Sequence, residues 1–356
     1  MPITQAPPAT QRRYSKSSAF YRNTKQDFYA TNEALLAESL TQNQWYTSQP
    51  ARTRCKLCTA PIADSASFVQ HGVGYIFCTM CDHLNGLHED TEAFVQKLYV
   101  DDADDAYARD YLDPQFAQRC NDIYLPKVDF LREALSEGVS TLLDVGCGSG
   151  YLVASARQRN IAATGIDLSA AMVAFGNAQM TAMPECHVLP HDSAPLSVVH
   201  EDSFFEAIRT TNAQVVSAIG VIEHLRQPQR FFEAFGQSNA EYVFYSVPLF
   251  SPAVLIEHLF PGVFPRQLSG GHTHLFTERS LTEMHRQLGV TPIAEWRFGT
   301  DVQDVYRSAA VLMSKSAPEL ANRLDAQVSP MLDELQAVLD RHHACSEIHV
   351  VARKSC

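Results

Sequence analysis

The stretch Leu142-Leu-Asp-Val-Gly-Cys-Gly-Ser-Gly150 constrains the fold of this chain more than any other. Leu142, Leu143 and Val145 are apolar and partly β-prone, the pattern of a strand buried on both faces. Gly146, Gly148 and Gly150 then remove every Cβ where the backbone must turn sharply and admit a ligand. A helical pattern starts at once at Tyr151, leaving backbone N–H groups at its start to meet a carboxylate or phosphate. The alternative is the same strand, turn and helix serving structure alone.

The spacing narrows the ligand. A dinucleotide fingerprint, G-x-G-x-x-G, needs its third glycine where this chain has Tyr151. Here the spacing is G-x-G-x-G, and Asp144 stands just ahead of it. A carboxylate there repels a pyrophosphate and pairs with an ammonium. From Asp144 to Gly150 the chain resembles the first motif of the class I S-adenosylmethionine (SAM) methyltransferases; an NAD oxidoreductase is the weaker reading. The resemblance implies that Asp144, Gly146, Cys147, Gly148 and Gly150 hold the amino-acid end of SAM.

Downstream, Ile161 to Ile166 reads as a second strand ending in Asp167, followed by Leu168, Ser169 and a helix over Ala170 to Met180. An acidic residue at that strand end accepts both ribose hydroxyls of an adenosine. Its alternative is an N-cap, a task Ser169 performs equally well. A third strand is expected near Cys186 to Leu189, running through Pro190 to Asp192, which the resemblance places on the adenine. The fourth, Ala213 to Ser217, leads to Ile219 and then to Glu223-His224, which the resemblance sets beside the methyl donor. Tyr242 to Val247, Thr291 to Phe298 and Glu347 to Ala352 read as strands five to seven. Alternating strands and helices give an α/β fold with a mostly parallel sheet. The resemblance implies a doubly wound, seven-stranded Rossmann-like methyltransferase sheet whose last strand is antiparallel between its neighbours. It covers roughly residues 140–298 and the final strand.

Cys55-x2-Cys58 and Cys78-x2-Cys81, nineteen residues apart, have the spacing of a zinc ribbon. Four thiolates leave no open position for water, so the Zn2+ is expected to be structural. Two disulfides or a redox pair are the alternatives. No signal peptide or long apolar segment precedes the cluster, so a reducing cytoplasm is expected, with no membrane span.

The chain divides into a polar N-terminal arm with a short helix (1–50), a zinc-ribbon module (51–100), a linker and lid helix (101–137) and a methyltransferase domain (138–356). A helical insertion spans about 301–343. Within it Leu324, Val328, Met331, Leu335 and Val338 recur every three or four positions, an amphipathic face that packs on the core or supports a homodimer. The net charge of −12 argues against a nucleic-acid partner. Tyr107, Arg109 and Tyr111 precede the lid helix, which in the resembled family closes over the donor.

Two places supply histidines for taking a proton from an acceptor. One is Glu223-His224. The other is Ser269-Gly-Gly-His272-Thr-His274, where alternate residues of an extended segment point one way. His224 and His274 lead as base or acceptor-orienting groups, with Glu223 and His272 beside them. The Glu-His pair with a later histidine is similar to metal-dependent small-RNA 2′-O-methyltransferases, yet Gly220 stands where those families carry a further Glu. The cysteine module ahead of a SAM domain resembles methyltransferases of bacterial cell-surface polysaccharide or other sugar pathways. That resemblance implies a small acceptor, a carbohydrate or nucleotide-linked sugar. A metal-assisted RNA enzyme and a non-catalytic SAM-binding zinc scaffold are the alternatives.

Overall fold

Thr141–Val145 is buried along its length between neighbouring strands, and this central position follows from its run of apolar residues. The computed structural model describes residues 10–17, 31–98, 115–186, 194–268 and 272–355. Its strands are β1 Gln11–Tyr14, β2 Phe68–Gln70, β3 Val73–Phe77, β4 Leu84–Gly86, β5 Thr141–Val145 and β6 Ala162–Asp167. They continue with β7 Leu196–Val198, β8 Val215–Ile219, β9 Tyr242–Pro248, β10 His274–Leu275, β11 Val290–Phe298 and β12 Glu347–Lys354.

The main sheet has the order β1-β11-β12-β9-β8-β5-β6-β7. β9, β8, β5, β6 and β7 are parallel, and β12 runs antiparallel between β9 and β11. One face packs Leu143, Val145, Val216 and Tyr245 under the helices Glu201–Thr210, Pro228–Gln237 and Glu278–Leu288. The other packs Leu142, Val215, Phe244 and Trp296 under Leu125–Ala134 and Tyr151–Gln158. Helices on both faces hide the strands from water, which is why β5, β8 and β9 carry little polar sequence.

Three expectations need correction. Among the described residues the sheet has eight strands where seven were expected: β1 joins the edge parallel to β11, from Gln11↔Ala294 to Tyr14↔Arg297. An edge strand needs only its backbone to pair, so Gln-Arg-Arg-Tyr gave no apolar signal. The described strand beside β6 is Leu196–Val198, whereas Cys186 closes a 3-10 turn, Pro184–Cys186, and residues 187–189 of the expected third strand lie outside the described residues. Three residues, two of them exposed, are too few to show a period. The insertion is helical, but its amphipathic stretch from Leu320 is not one continuous helix. The insertion consists of Asp301–Ser316, Pro318–Val328 and Leu332–Arg341, with a 3-10 turn at Ser329–Met331. Pro330 lacks the N–H that a continuous helix needs there. Of the expected repeat, Leu324 and Val328 pack against Tyr306, Ala310 and Leu332, while Met331, Leu335 and Val338 are 45%, 43% and 44% exposed; the inward residues beyond Pro330 are Leu332, Gln336 and Asp340.

The cysteine module forms a second sheet, β10-β4-β3-β2, all antiparallel. Its fourth strand comes from the histidine segment, with His274 opposite Asn85 and Leu275 opposite Leu84. Phe276 then bridges Leu249 just past β9. The module therefore sits at the carboxyl end of the main sheet, tied to it by backbone hydrogen bonds between Phe276 and Pro248 and Phe250. The helix Asn32–Thr47 covers it: Tyr46 Oη donates to the His88 carbonyl at 2.7 Å. Tyr107, Arg109, Tyr111 and Asp192 lie outside the described residues. Among the described residues no helix is long and apolar enough to cross a membrane.

Candidate active site

The turn after β5 has the left-handed backbone its sequence demands: φ is +65° at Gly146, +52° at Gly148 and +75° at Gly150. A Cβ on Gly150 would stand 2.6 Å from Leu196 Cδ1, so close packing and conformation both exclude a side chain. Asp144 is buried just below, and its Oδ1 accepts from Ser217 Oγ at 2.7 Å. Burial, with the nearby charge of Asp167 adding to it, pushes the Asp144 carboxyl up to about 7. Asp167 is raised as well, chiefly by burial. Two carboxylates held at this cost form a site suited to a cation.

Asp167 also braces the turn. Its Oδ2 accepts from Gly148 N at 2.7 Å and its Oδ1 from Ser169 N at 2.8 Å. The cap of the helix Ala170–Thr181 belongs to Ser169, whose hydroxyl accepts from Met172 N. Leu168 is partly exposed beside Asp167, Ile219 is half-buried at the end of β8, and the Cys147 thiol is buried against Gly165. Sequence reasoning missed Gly176. A Cβ there would meet Ser149 O at 2.2 Å, so this glycine lets the helix lie directly on the turn. A single glycine within a helical stretch carries no signal for that contact.

β8 ends at Ile219, Gly220 turns the chain (φ +67°), and a 3-10 turn, Ile222–His224, follows. Glu223 is buried; burial lifts its carboxyl to about 8, and its Oε2 has no protein partner. His224, 24% exposed, places Nε2 3.8 Å from Glu223 Oε1. Its ring lies 5.2 Å from that of His272. Burial pushes His272 down to about 4, helped by the Arg266 charge. Glu223, His224 and His272 thus come together.

His274 does not join them in one facing row. Strand geometry begins only at His274, so strict alternation does not reach back to His272. His274 is buried in the junction with the module, its Nε2 3.0 Å from Asp90 Oδ2 and its ring stacked 5.7 Å from His83. Burial and the Lys56 charge push it down to about 3, so it serves Asp90 as a neutral partner.

The four module sulfurs converge. Cys55 Sγ is 3.6 Å from Cys81 Sγ, and Cys58 Sγ is 3.5 Å from Cys78 Sγ. All four lie within 4.8 Å of one another, and all are free cysteines. Each C-x2-C turn closes with a left-handed residue, Thr59 (φ +60°) and Asp82 (φ +63°). The hydrogen bond between Cys55 and Cys81 lowers the Cys55 thiol, and Asn85 Nδ2 donates to the same sulfur at 3.6 Å. Among the described residues this is the group of His, Cys, Asp or Glu side chains able to hold a metal ion.

Residues 116–295 match the family described as methyltransferase domain. The chain belongs to that family and is a class I SAM-dependent methyltransferase. Among solved structures it is similar to magnesium protoporphyrin IX methyltransferase from Synechocystis PCC 6803 with bound SAH. That match has 14% identity, covers 74% of this chain and 100% of the other, and has a TM-score of 0.45. Geranyl diphosphate C-methyltransferase from Streptomyces coelicolor A3(2) matches at 13% identity, over 68% and 87% of the two chains, with a TM-score of 0.40. The methyltransferase domain of bacterial CtHen1 matches at 14%, over 66% and 98%, with a TM-score of 0.42. Among curated proteins none matches.

Proposed function

We propose that this enzyme methylates a small anionic acceptor, a sugar linked to a nucleotide or phosphate. When bound, SAM supplies a methyl group on a sulfonium. Asp144 meets its ammonium and Asp167 its ribose, the glycine turn gives room for its amino-acid end, and Asp192 takes the adenine. Cys147, Leu168 and Ile219 line this side. The raised, mutually repelling carboxyls of Asp144 and Asp167 support a cationic ligand at this place.

On the acceptor side, His224 takes the proton from the acceptor group. The buried carboxyl of Glu223, 3.8 Å from His224 Nε2, orients the ring, and His272 packs against it. Zn2+ in the four-cysteine site folds the module. Regular tetrahedral Zn–S bonds separate sulfurs by about 3.8 Å, and the 3.5 and 3.6 Å pairs fit that shell.

The observation that carries the anionic acceptor is a set of three cations near the carboxyl end of the sheet. Lys16, just past β1, lies over Phe298 at 5.1 Å and within electrostatic reach of Arg119 and Glu347. Glu347, at the start of β12, in turn acts on Glu223. Arg119 lies 5.1 Å over Tyr151, and Lys127, buried over Tyr124, acts on Asp144. Such a cluster beside the methyl-transfer face suits phosphate oxygens.

The test is mass spectrometry of sugar nucleotides, sugar phosphates and free sugars incubated with enzyme and SAM. One added methyl group on a phosphorylated sugar is expected, with Lys16→Met raising the acceptor KM about tenfold or more. Methylation of neutral sugars with equal efficiency would overturn the reading. So would turnover confined to RNA with a steep salt dependence.

A further inference from the structure

A structural metal knuckle ordinarily stands apart from catalysis. Here the first knuckle, Cys55-Lys-Leu-Cys58, lies against the turn that carries Glu223 and His224. Lys56 Nζ donates to Asp90 Oδ2 at 2.9 Å and to the Glu223 carbonyl oxygen at 2.9 Å. Its side chain is 4% exposed, and Asp90 is 7% exposed. Arg52 Nη2 also reaches Asp90 Oδ2, at 3.0 Å, and Thr273 Oγ1 donates to its Oδ1 at 3.2 Å. Burial alone would raise Asp90; the charges of Lys56 and Arg52 and the hydrogen bond with His274 outweigh it and hold its carboxyl well below the usual range.

The knuckle backbone is gripped from two helices as well. Gln229 Nε2 donates to the carbonyls of Lys56 (2.9 Å) and Leu57 (2.6 Å), and Gln287 Nε2 donates to that of Leu57 (3.1 Å). Lys56 N donates to Asn85 Oδ1 at 2.9 Å. Leu57, Cys55, Cys78 and Cys81 share one apolar cluster with Val221 and Ile222, the residues that enter the Glu223 turn. The knuckle is thus held in place by Gln229, Gln287 and Asn85, and it reaches the Glu223 turn through Lys56 Nζ and the shared apolar cluster.

A buried ammonium that donates to a main-chain carbonyl fixes a backbone atom, not a side chain. Losing it leaves the Glu223 carbonyl without that charged donor, a cost that favours displacement of the turn. Four metal bonds would fix the backbone on both sides of Lys56 and hence the origin of its stem. We propose that Lys56 is a positioning residue, through which the metal-loaded knuckle holds the Glu223–His224 turn in the geometry that methyl transfer needs. Metal occupancy thereby sets the rate of methyl transfer as well as the stability of the module. This rests on reading Glu223–His224 as the acceptor-side pair and the four cysteines as a metal site.

The test compares the zinc-loaded full chain with Lys56→Met and Lys56→Arg by amide hydrogen exchange, donor binding and turnover. In Lys56→Met, exchange over residues 219–226 should rise about tenfold while β5 and β6 stay protected. The donor Kd should change less than about twofold and kcat should fall at least about tenfold, with a smaller change in acceptor KM. Lys56→Arg should recover part of both. Zinc removal from the unaltered enzyme should raise exchange over the same segment. If Lys56→Met loses its zinc, Gln229→Ala takes its place, since it removes two hydrogen bonds to the same knuckle and uncovers no charge. A zinc-loaded variant with unchanged exchange over 219–226 and unchanged kcat overturns the proposal. Absence of donor binding in the unaltered enzyme would instead defeat the donor-site reading and leave the exchange result interpretable.

Discussion

Replacing Asp144 with asparagine should remove a pH dependence of donor binding that the carboxyl imposes. In the ligand-free protein burial, with Asp167 nearby, raises Asp144 to about 7. An ammonium beside it favours the ionised form, so binding draws the proton off and affinity rises with pH. About a tenth of the groups are ionised at about pH 6 and half at about pH 7. The donor Kd should therefore tighten about fivefold over that unit, ~1 kcal/mol. Calorimetry in two buffers of different ionisation enthalpy reads the effect directly, as release of close to one proton per donor bound near pH 6. Asparagine keeps an oxygen for Ser217 Oγ, so the variant should fold, bind more weakly and show no slope. S-adenosylhomocysteine has the same ammonium without the sulfonium charge and should show the same slope. A flat Kd in the unaltered enzyme, or an equal slope in the asparagine variant, would refute the pairing of Asp144 with the ammonium.

Three further outcomes are expected. Glu223→Gln should stabilise the ligand-free protein increasingly with pH, because the folded carboxyl holds its proton to about 8 while the unfolded one has lost it. The gain should grow by roughly 1 kcal/mol per unit between about pH 6 and about pH 8, measured by urea unfolding at each pH. A strong chelator, or Cys58→Ser, should lower the melting temperature by more than about 5 °C, with metal content followed in parallel. Gly176→Ala should cost about 1–3 kcal/mol instead of the usual gain of an alanine in a helix, because its methyl meets Ser149 O. Thermal unfolding with and without SAM would separate that loss from any change in donor binding.

The parts of the fold that were legible in sequence are those where chemistry and backbone demand coincide. Gly146, Gly148 and Gly150 advertise a left-handed turn, and the C-x2-C pairs advertise convergent sulfurs. β5, β8 and β9 were readable because burial on both faces leaves a continuous apolar run. β1 and β7 were not, since a polar edge strand and a three-residue strand carry no period. The insertion misleads for a related reason: Leu324 to Val338 keeps an apolar repeat, yet Pro330 interrupts the helix, so Leu324 and Val328 pack inward while Met331, Leu335 and Val338 stay exposed. At the site, Glu223, His224 and His272 could be grouped by their place after β8 and before the helix Glu278–Leu288. Lys56 and Asp90 could not. Their partners lie 34 and 167 residues from Lys56, and such pairings appear only once the module is seated on the sheet.

Completion of the module's sheet by β10, a strand from far down the chain, has a consequence for biosynthesis. The contact that seats it, His274 to Asp90, spans 184 residues. As the nascent chain emerges, the four cysteines are available early, but β4 keeps an open edge until about three-quarters of the polypeptide has been made. Pairing across so long a loop is slow, so an incomplete chain ending before residue 275 presents that edge to its neighbours. The module is consequently not a cassette: moved to another protein without the histidine segment, it would arrive one strand short.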